Sequence, residues 1–173
     1  MKKIYIVLTY TGTVLARLVK YYTKKEYSHV SISLDENLEE MYSFGRLNAY
    51  IPFIGGFVHE SPKYGTFKRF KNTQSKIYSL EVSDETYEMI KKSINDVSID
   101  KENYRFNVIG LFSVPLGIKF NRKKCFYCAE FVKYVLDNSL LELNLPNIIK
   151  PDDFNYIKDT EVVYRGMLNK YKI

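Results

Sequence analysis

Residues 126–138 read FYCAEFVKYVLDN, and no other segment of the chain constrains the fold as strongly. Its apolar residues recur at helical spacing, which predicts an α-helix with one stripe facing the core. That stripe comprises Cys128, Phe131, Val132, Val135 and Leu136, and the other face carries Glu130, Lys133 and Asp137. Cys128 therefore falls in the first turn of the predicted helix.

The segments on either side of this helix form a mixed pattern. Strands are predicted at residues 3–9, 28–34, 38–45, 76–82 and 161–165, and helices at residues 14–22, 84–95 and 103–114. Short extended or turn segments are predicted at residues 116–120 and 151–154. Because strands and helices do not alternate regularly, we expect an α+β fold, with an antiparallel sheet packed against helices.

The length and composition favour one globular domain spanning residues 1–173, with 46% hydrophobic residues to form its core. No stretch reaches the roughly 20 apolar residues that span a bilayer, so we expect no integral membrane association.

The basic excess of +6 is scattered along the chain, so nucleic acid is not an expected partner. A polar turn at residues 9–13 interrupts the apolar start, which argues against a secretory signal. Two cysteines suit a reducing compartment, and we expect a cytoplasmic protein.

The segment from Arg46 to Gly65 carries glycines, prolines and aromatic residues without clear periodicity. A connection of this length is unusual in a compact domain unless it has a function. We therefore predict a mobile lid that borders the functional cleft, with His59 and Glu60 as lid residues.

Cys128 and His29 are the residues best suited to carry chemistry. The N-terminal turn of a helix stabilises a thiolate, although a free cysteine is equally common as a buried core residue. His29 shares a strand face with Ser31 and Ser33, and an imidazole placed there could act as the base for the thiol. A lone histidine on a strand is more often a surface or hydrogen-bonded residue, but the chain has only two histidines, so any Cys–His pair must use His29 or His59.

Several short motifs occur in a characteristic order. Gly12-Thr13 opens a helix, Tyr27-Ser28-His29-Val30-Ser31-Ile32 follows, and Phe126-Tyr127-Cys128-Ala129-Glu130-Phe131-Val132 comes some hundred residues later. Together with a Pro151–Phe154 turn and a Val163–Gly166 ending, this order resembles the circularly permuted branch of the NlpC-like papain-fold superfamily. The likeness is to YiiX-like cysteine hydrolases and, more distantly, to lecithin retinol acyltransferases.

The resemblance implies a permuted papain-like domain in which Cys128 is the nucleophile and His29 the base. The residue after the nucleophile is commonly serine in that superfamily, whereas this chain has Ala129. A third polar residue should orient the imidazole from the neighbouring strand. We predict Glu40, which faces His29 if His29 pairs with Tyr42 but turns away if it pairs with Ser43.

Other groups complete the predicted site. The backbone N–H of Cys128, joined by a group from the Tyr10–Thr13 turn, could form an oxyanion hole. Tyr104, Phe106, Phe112 and the Phe53–Phe57 stretch could line an acyl or side-chain pocket, although aromatic residues at this density more often belong to the core. Cys125, Cys128, His29 and His59 make one Cys₂His₂ set, but their spacing is poor for structural zinc, so no metal or cofactor is expected.

The predicted function is that of a thiol hydrolase, a cysteine peptidase or amidase, that forms an acyl-enzyme. The expected partner is a peptide, amide or acyl-ester substrate. A thioesterase or lipid acyltransferase, and a non-catalytic binding module, remain as alternatives.

Overall fold

A computed structural model describes residues 1–48, 50–120 and 122–171, with the backbone alone for residues 51–53. The strands are β1 (Lys2–Tyr10), β2 (His29–Ser33), β3 (Met41–Asn48), β4 (Ile51–Glu60), β5 (Gln74–Val82), β6 (Arg105–Phe106), β7 (Cys125–Phe126) and β8 (Thr160–Met167). The helices are α1 (Val14–Thr23), α2 (Gly65–Arg69), α3 (Asp84–Ile99), α4 (Val108–Ser113) and α5 (Cys128–Asp137).

Six strands form one sheet in the order β4-β3-β2-β1-β5-β8, and every neighbouring pair is antiparallel. The predicted α+β class with an antiparallel sheet is therefore confirmed. Strands β6 and β7 form a separate parallel pair. Among the described residues, no helix is both long enough and apolar enough to cross a bilayer.

The sheet is buried on both of its faces. One face, with Ile4, Ile6 and Leu8 from β1, packs against α3 and α5 to form the larger core cluster. The other face, with Tyr5 and Val7, forms a smaller cluster with residues of α2 and of the C-terminal turn. Because successive side chains of a strand point to opposite faces, one continuous apolar strand supplies both clusters.

Helix α5 begins at Cys128, and buried polar groups fix that start. The Glu130 carboxylate accepts a hydrogen bond from the backbone N–H of Tyr127 at 3.2 Å and another from Asn107 Nδ2 at 3.0 Å. Asn107 also caps α4, because its Oδ1 accepts from the backbone N–H of Gly110 at 2.9 Å. The starts of α4 and α5 are thus tied to one another through two side chains.

The structure corrects the prediction for residues 46–65. The predicted irregular connection is wrong, because the segment completes β3 and forms all of β4, which pairs with β3. Glycines allow this packing: a Cβ on Gly55 would lie 2.8 Å from the Phe106 ring, too close for any other residue to fit without a shift. The helix predicted over residues 103–114 is also shorter, with β6 preceding α4.

Candidate active site

His29 and Cys128 meet where the first residue of β2 lies beside the first residue of α5. Helix α5 packs against β2 and β3, which brings its N-terminus to the end of the sheet. Both side chains line one cavity, and Cys128 is one of the groups that raise the pKa of the imidazole. The structure therefore brings together the two residues that the sequence singled out.

A carboxylate holds the opposite side of the imidazole. His29 Nε2 lies 3.1 Å from both oxygens of Glu60, at the end of β4. Ser31 Oγ donates to Glu60 Oε2 at 2.5 Å. The side chains of His29 and Glu60 are only 19% and 10% exposed, so water screens this pair weakly. With Nε2 engaged, Nδ1 is the ring nitrogen available to the thiol.

These contacts set the protonation of His29. Burial alone would lower the pKa of the imidazole, because it disfavours the charged form. The charge of Glu60, its hydrogen bond to the ring and the interactions with Cys128 together outweigh burial, so that the pKa of His29 is raised to about 10. At neutral pH the ring is therefore an imidazolium, the form that stabilises a neighbouring thiolate.

Glu40, the third residue expected from the sequence, lies outside this cluster in an exposed position before β3. The predicted strand register is wrong: Tyr42 pairs with Ile32, not with His29. The cause is the preceding turn, where the Asp35 carboxylate accepts backbone N–H groups from three residues, Asn37, Glu39 and Glu40. This longer turn delays the start of β3 to Met41.

A cavity of about 600 Å³ opens beside the dyad and includes both His29 and Cys128 in its wall. Its volume falls within the range typical of small-molecule sites. Most of the wall is apolar and comes from α1, β3, α2, β6 and α4. The apolar lining residues are Val14, Leu15, Ala16, Leu18, Val19, Phe44, Phe67, Phe106, Val108, Leu111 and Phe112.

The sequence left open which aromatic residues line the cavity and which belong to the core, and the structure separates the two groups. Phe106 and Phe112 line the cavity, whereas Phe57 is buried in the core against Phe44 and Phe131. Tyr104 stacks on Phe126 away from the cavity wall, and the Phe53 side chain lies outside the described part of the structure. The sequence could not separate these roles because pocket and core aromatic residues have the same composition.

Two further features surround the thiol. Thr11 and Thr13, at the turn that precedes α1, line the same cavity as Cys128, as the oxyanion-hole prediction requires of that turn. Burial and the negative charge of a Cys128 thiolate raise the pKa of Tyr22 to about 12. The Tyr22 hydroxyl donates to the Leu111 carbonyl at 3.3 Å and so joins α1 to α4 beside the cavity.

The remaining members of the Cys₂His₂ set lie elsewhere. Cys125 is a buried free thiol on β7. His59 Nε2 donates to the carbonyl of Glu39 at 2.6 Å, and Tyr64 lies 3.2 Å from its Nδ1. Within the described ranges, no group of three or more His, Cys, Asp or Glu side chains is arranged to hold a metal ion.

The segment predicted to be a lid borders the cavity through β3 and β4 instead. Arg46, Gly55 and Glu60 contribute to the wall. From the sequence, Glu60 is predicted to be a lid residue, and its contact with His29 is not predicted. The one signal available in the sequence was a carboxylate directly after His59.

Comparison with known proteins leaves the site to be judged on its geometry. No protein-family model matches the chain, and no curated protein matches it.

Proposed function

We propose that this chain is a thiol hydrolase that cleaves an amide or ester bond through an acyl-enzyme. The observation that carries the proposal is the arrangement of Cys128, His29 and Glu60. A nucleophile at a helix N-terminus, a base beside it and a carboxylate behind the base have the geometry of a catalytic triad. The cavity provides room for a substrate beside the thiol.

The proposed reaction begins with the thiolate of Cys128 and the imidazolium of His29. The sulfur attacks the carbonyl carbon and forms a C–S bond, while the carbonyl electron pair moves to oxygen. The backbone N–H of Cys128, at the first position of α5, is placed to stabilise that oxyanion. When the C–N or C–O bond breaks, His29 gives its proton to the leaving group.

Acylation itself changes the acidity of His29. Two of the interactions that raise the pKa of the imidazole, its hydrogen bond with Cys128 and the thiolate charge, disappear when the sulfur is acylated. The pKa of His29 then falls, so that it yields its proton to the leaving group more readily. The neutral ring left behind takes a proton from water, which attacks the thioester and releases the acid.

Glu60 is the positioning residue of this proposal. Its carboxylate holds the ring by Nε2 and keeps the imidazolium charged despite burial. Ser31 in turn holds Glu60. Both roles match those of the acidic member of a triad.

We also propose that the domain is a permuted papain-like fold. The support is a nucleophile on a helix, a base on a strand, and a chain order in which His29 precedes Cys128. Two free cysteines, Cys125 and Cys128, support a reducing compartment such as the cytoplasm.

The test is direct trapping of the acyl-enzyme. The protein is mixed with 4-nitrophenyl hexanoate, quenched in acid and analysed by intact mass spectrometry and peptide mapping. We expect one hexanoyl group on Cys128 and release of 4-nitrophenol. Cys125→Ala should keep both, and Cys128→Ala should lose both.

Two results would contradict the proposal. Acylation confined to Cys125 would remove Cys128 as the nucleophile. An unacylated protein whose two thiols react with iodoacetamide at the rate of an ordinary thiol would instead favour a non-catalytic binding module.

A further inference from the structure

Arg46 is a cation in the cavity wall, and no carboxylate of the described residues forms an ion pair with it. It lies on β3, shares the wall with Cys128, and is partly buried. Of the ion pairs formed by residues 1–48, 50–120 and 122–171, none includes Arg46. Its guanidinium donates instead to a neutral group, Thr13 Oγ1, at 2.6 Å.

The surroundings of Arg46 make its positive charge energetically unfavourable as long as no anion is bound beside it. Burial lowers the pKa of the guanidinium, and the like charge of Arg69 lowers it further. Both guanidinium groups lie near the Phe70 ring, at 5.7 Å for Arg46 and 5.2 Å for Arg69. A partly desolvated cation beside another cation gains free energy when an anion binds.

His29 and Glu60, the other charged groups of the wall, do not meet this need, because their charges are paired with one another. Glu60 also lines the cavity, but its two oxygens are engaged by His29 and Ser31. The remainder of the wall is mainly aliphatic and aromatic, from Val14 and Leu18 on α1 to Phe106 and Phe112 near α4. The cavity therefore combines one available cation with a large apolar surface.

We propose that the cavity binds an anionic amphiphile, with its apolar group against α1 and α4 and its carboxylate or phosphate on Arg46. The planar guanidinium suits both anions, because it can donate two parallel hydrogen bonds to either. The inference rests on the proposed function only in treating this cavity as the substrate site. It adds that a substrate carries a negative group besides the bond that is cleaved.

A binding experiment separates this inference from the chemistry. Cys128→Ala, which cannot form an acyl-enzyme, is titrated calorimetrically with octanoate, octyl phosphate and octanol at pH 7.5. We expect the better of the two anions to bind at least about tenfold more tightly than octanol, a difference of about 1.4 kcal/mol. The ranking of octanoate against octyl phosphate identifies which anion the site prefers.

Arg46 is then tested in the same background. Arg46→Gln should weaken anion binding about tenfold or more and leave octanol binding unchanged, and Arg46→Lys should lie between the two. Arg105→Gln is the matched control, because it removes the same charge from an exposed residue that does not line the cavity. It should bind all three ligands like the parent, and thermal unfolding checks that each variant is folded.

The inference is overturned if octanol binds as tightly as both anions, or if folded Arg46→Gln and Arg46→Lys keep the full anion affinity. The two proposals fail separately. Anion binding through Arg46 without acylation of the wild-type protein would refute only the hydrolase. Acylation of Cys128 without any preference for anions would refute only the role of Arg46.

Discussion

Replacing Glu60 by glutamine removes the charge that keeps His29 protonated and keeps the side chain's shape. The pKa of His29 is about 10 with Glu60 present, so that more than about 99% of the ring is imidazolium at pH 7.5. Without the carboxylate, burial is opposed only by the interactions with Cys128, and the pKa falls toward or below 6.5. At a pKa of 6.5 only about 10% of the ring is charged at pH 7.5.

The imidazolium population at pH 7.5 therefore falls about tenfold, and the thiolate loses its cationic partner in the same proportion. We expect Glu60→Gln to alkylate with iodoacetamide about tenfold more slowly at pH 7.5 and to acylate about 10²-fold more slowly. The assay is the second-order rate constant at Cys128 between pH 5 and 10, in a Cys125→Ala background so that only one thiol reacts.

Glu40→Gln is the matched control, because Glu40 is the carboxylate that the sequence favoured and it lies exposed outside the cluster. It should react like the parent protein at every pH. Thermal unfolding of both variants separates a lost charge from a lost fold. The reasoning is refuted if folded Glu60→Gln keeps the parent pH profile, or if Glu40→Gln slows alkylation as much as Glu60→Gln does.

Three further predictions concern stability. The raised pKa of His29 means that the folded protein binds one more proton than the unfolded chain between pH 6.5 and about 10. The contribution of His29 to stability is thus complete below pH 6.5 and is lost as the pH rises through about 10, by about 1.4 kcal/mol per pH unit. The difference in unfolding free energy between the parent and His29→Gln, from urea titrations, should follow that slope, and a constant difference would contradict it. Asn107→Ala should destabilise the fold by about 2–4 kcal/mol, because it removes the hydrogen bonds of a side chain that is 2% exposed. Asn103→Ala, which removes one exposed hydrogen bond, should change stability by less than about 0.5 kcal/mol, and equal losses would be inconsistent with the roles assigned. Gly55→Ala should lower stability by about 1–3 kcal/mol, because its Cβ would meet an aromatic ring at 2.8 Å. At Gly56 the nearest atoms belong to a flexible side chain at 3.4 Å, so Gly56→Ala should be milder, and chemical denaturation of the pair decides the point.

Local sequence patterns were sufficient to predict those strands and helices whose bounds are determined by neighbouring residues. Strand β1, helix α1 and helix α3 were expected at nearly their observed bounds, because apolar periodicity and capping residues act within a few positions. Helix α5 was expected for the same reason, and its apolar stripe is buried in the main core cluster. Cys128 was therefore placed at the start of a helix, and His29 at the start of a strand, from the sequence alone.

The third member of the site depended on tertiary structure. Glu60 lies 31 residues from His29 in the chain, and their contact requires the β2–β3 and β3–β4 pairings together. Each register depends on a turn, and the Asp35 carboxylate lengthens the first turn through backbone contacts that no periodicity reveals. A change of register moves every side chain of a strand relative to its partner. Glu40 was expected because the pairing assumed from the sequence, His29 with Tyr42, placed it on the face of His29, and the observed pairing does not.

The cavity also depends on the tertiary structure. Its wall combines α1, β3, β4, α2, β6 and α4, elements that are separated by up to a hundred residues and meet only when the sheet is assembled. The sequence determined that a thiol and an imidazole would begin two neighbouring elements, because helix and strand starts are specified locally. Only the tertiary structure determined that Glu60 would hold that imidazole and that Arg46 would lie beside it in an apolar cavity, because burial and charge pairing are properties of the packed chain.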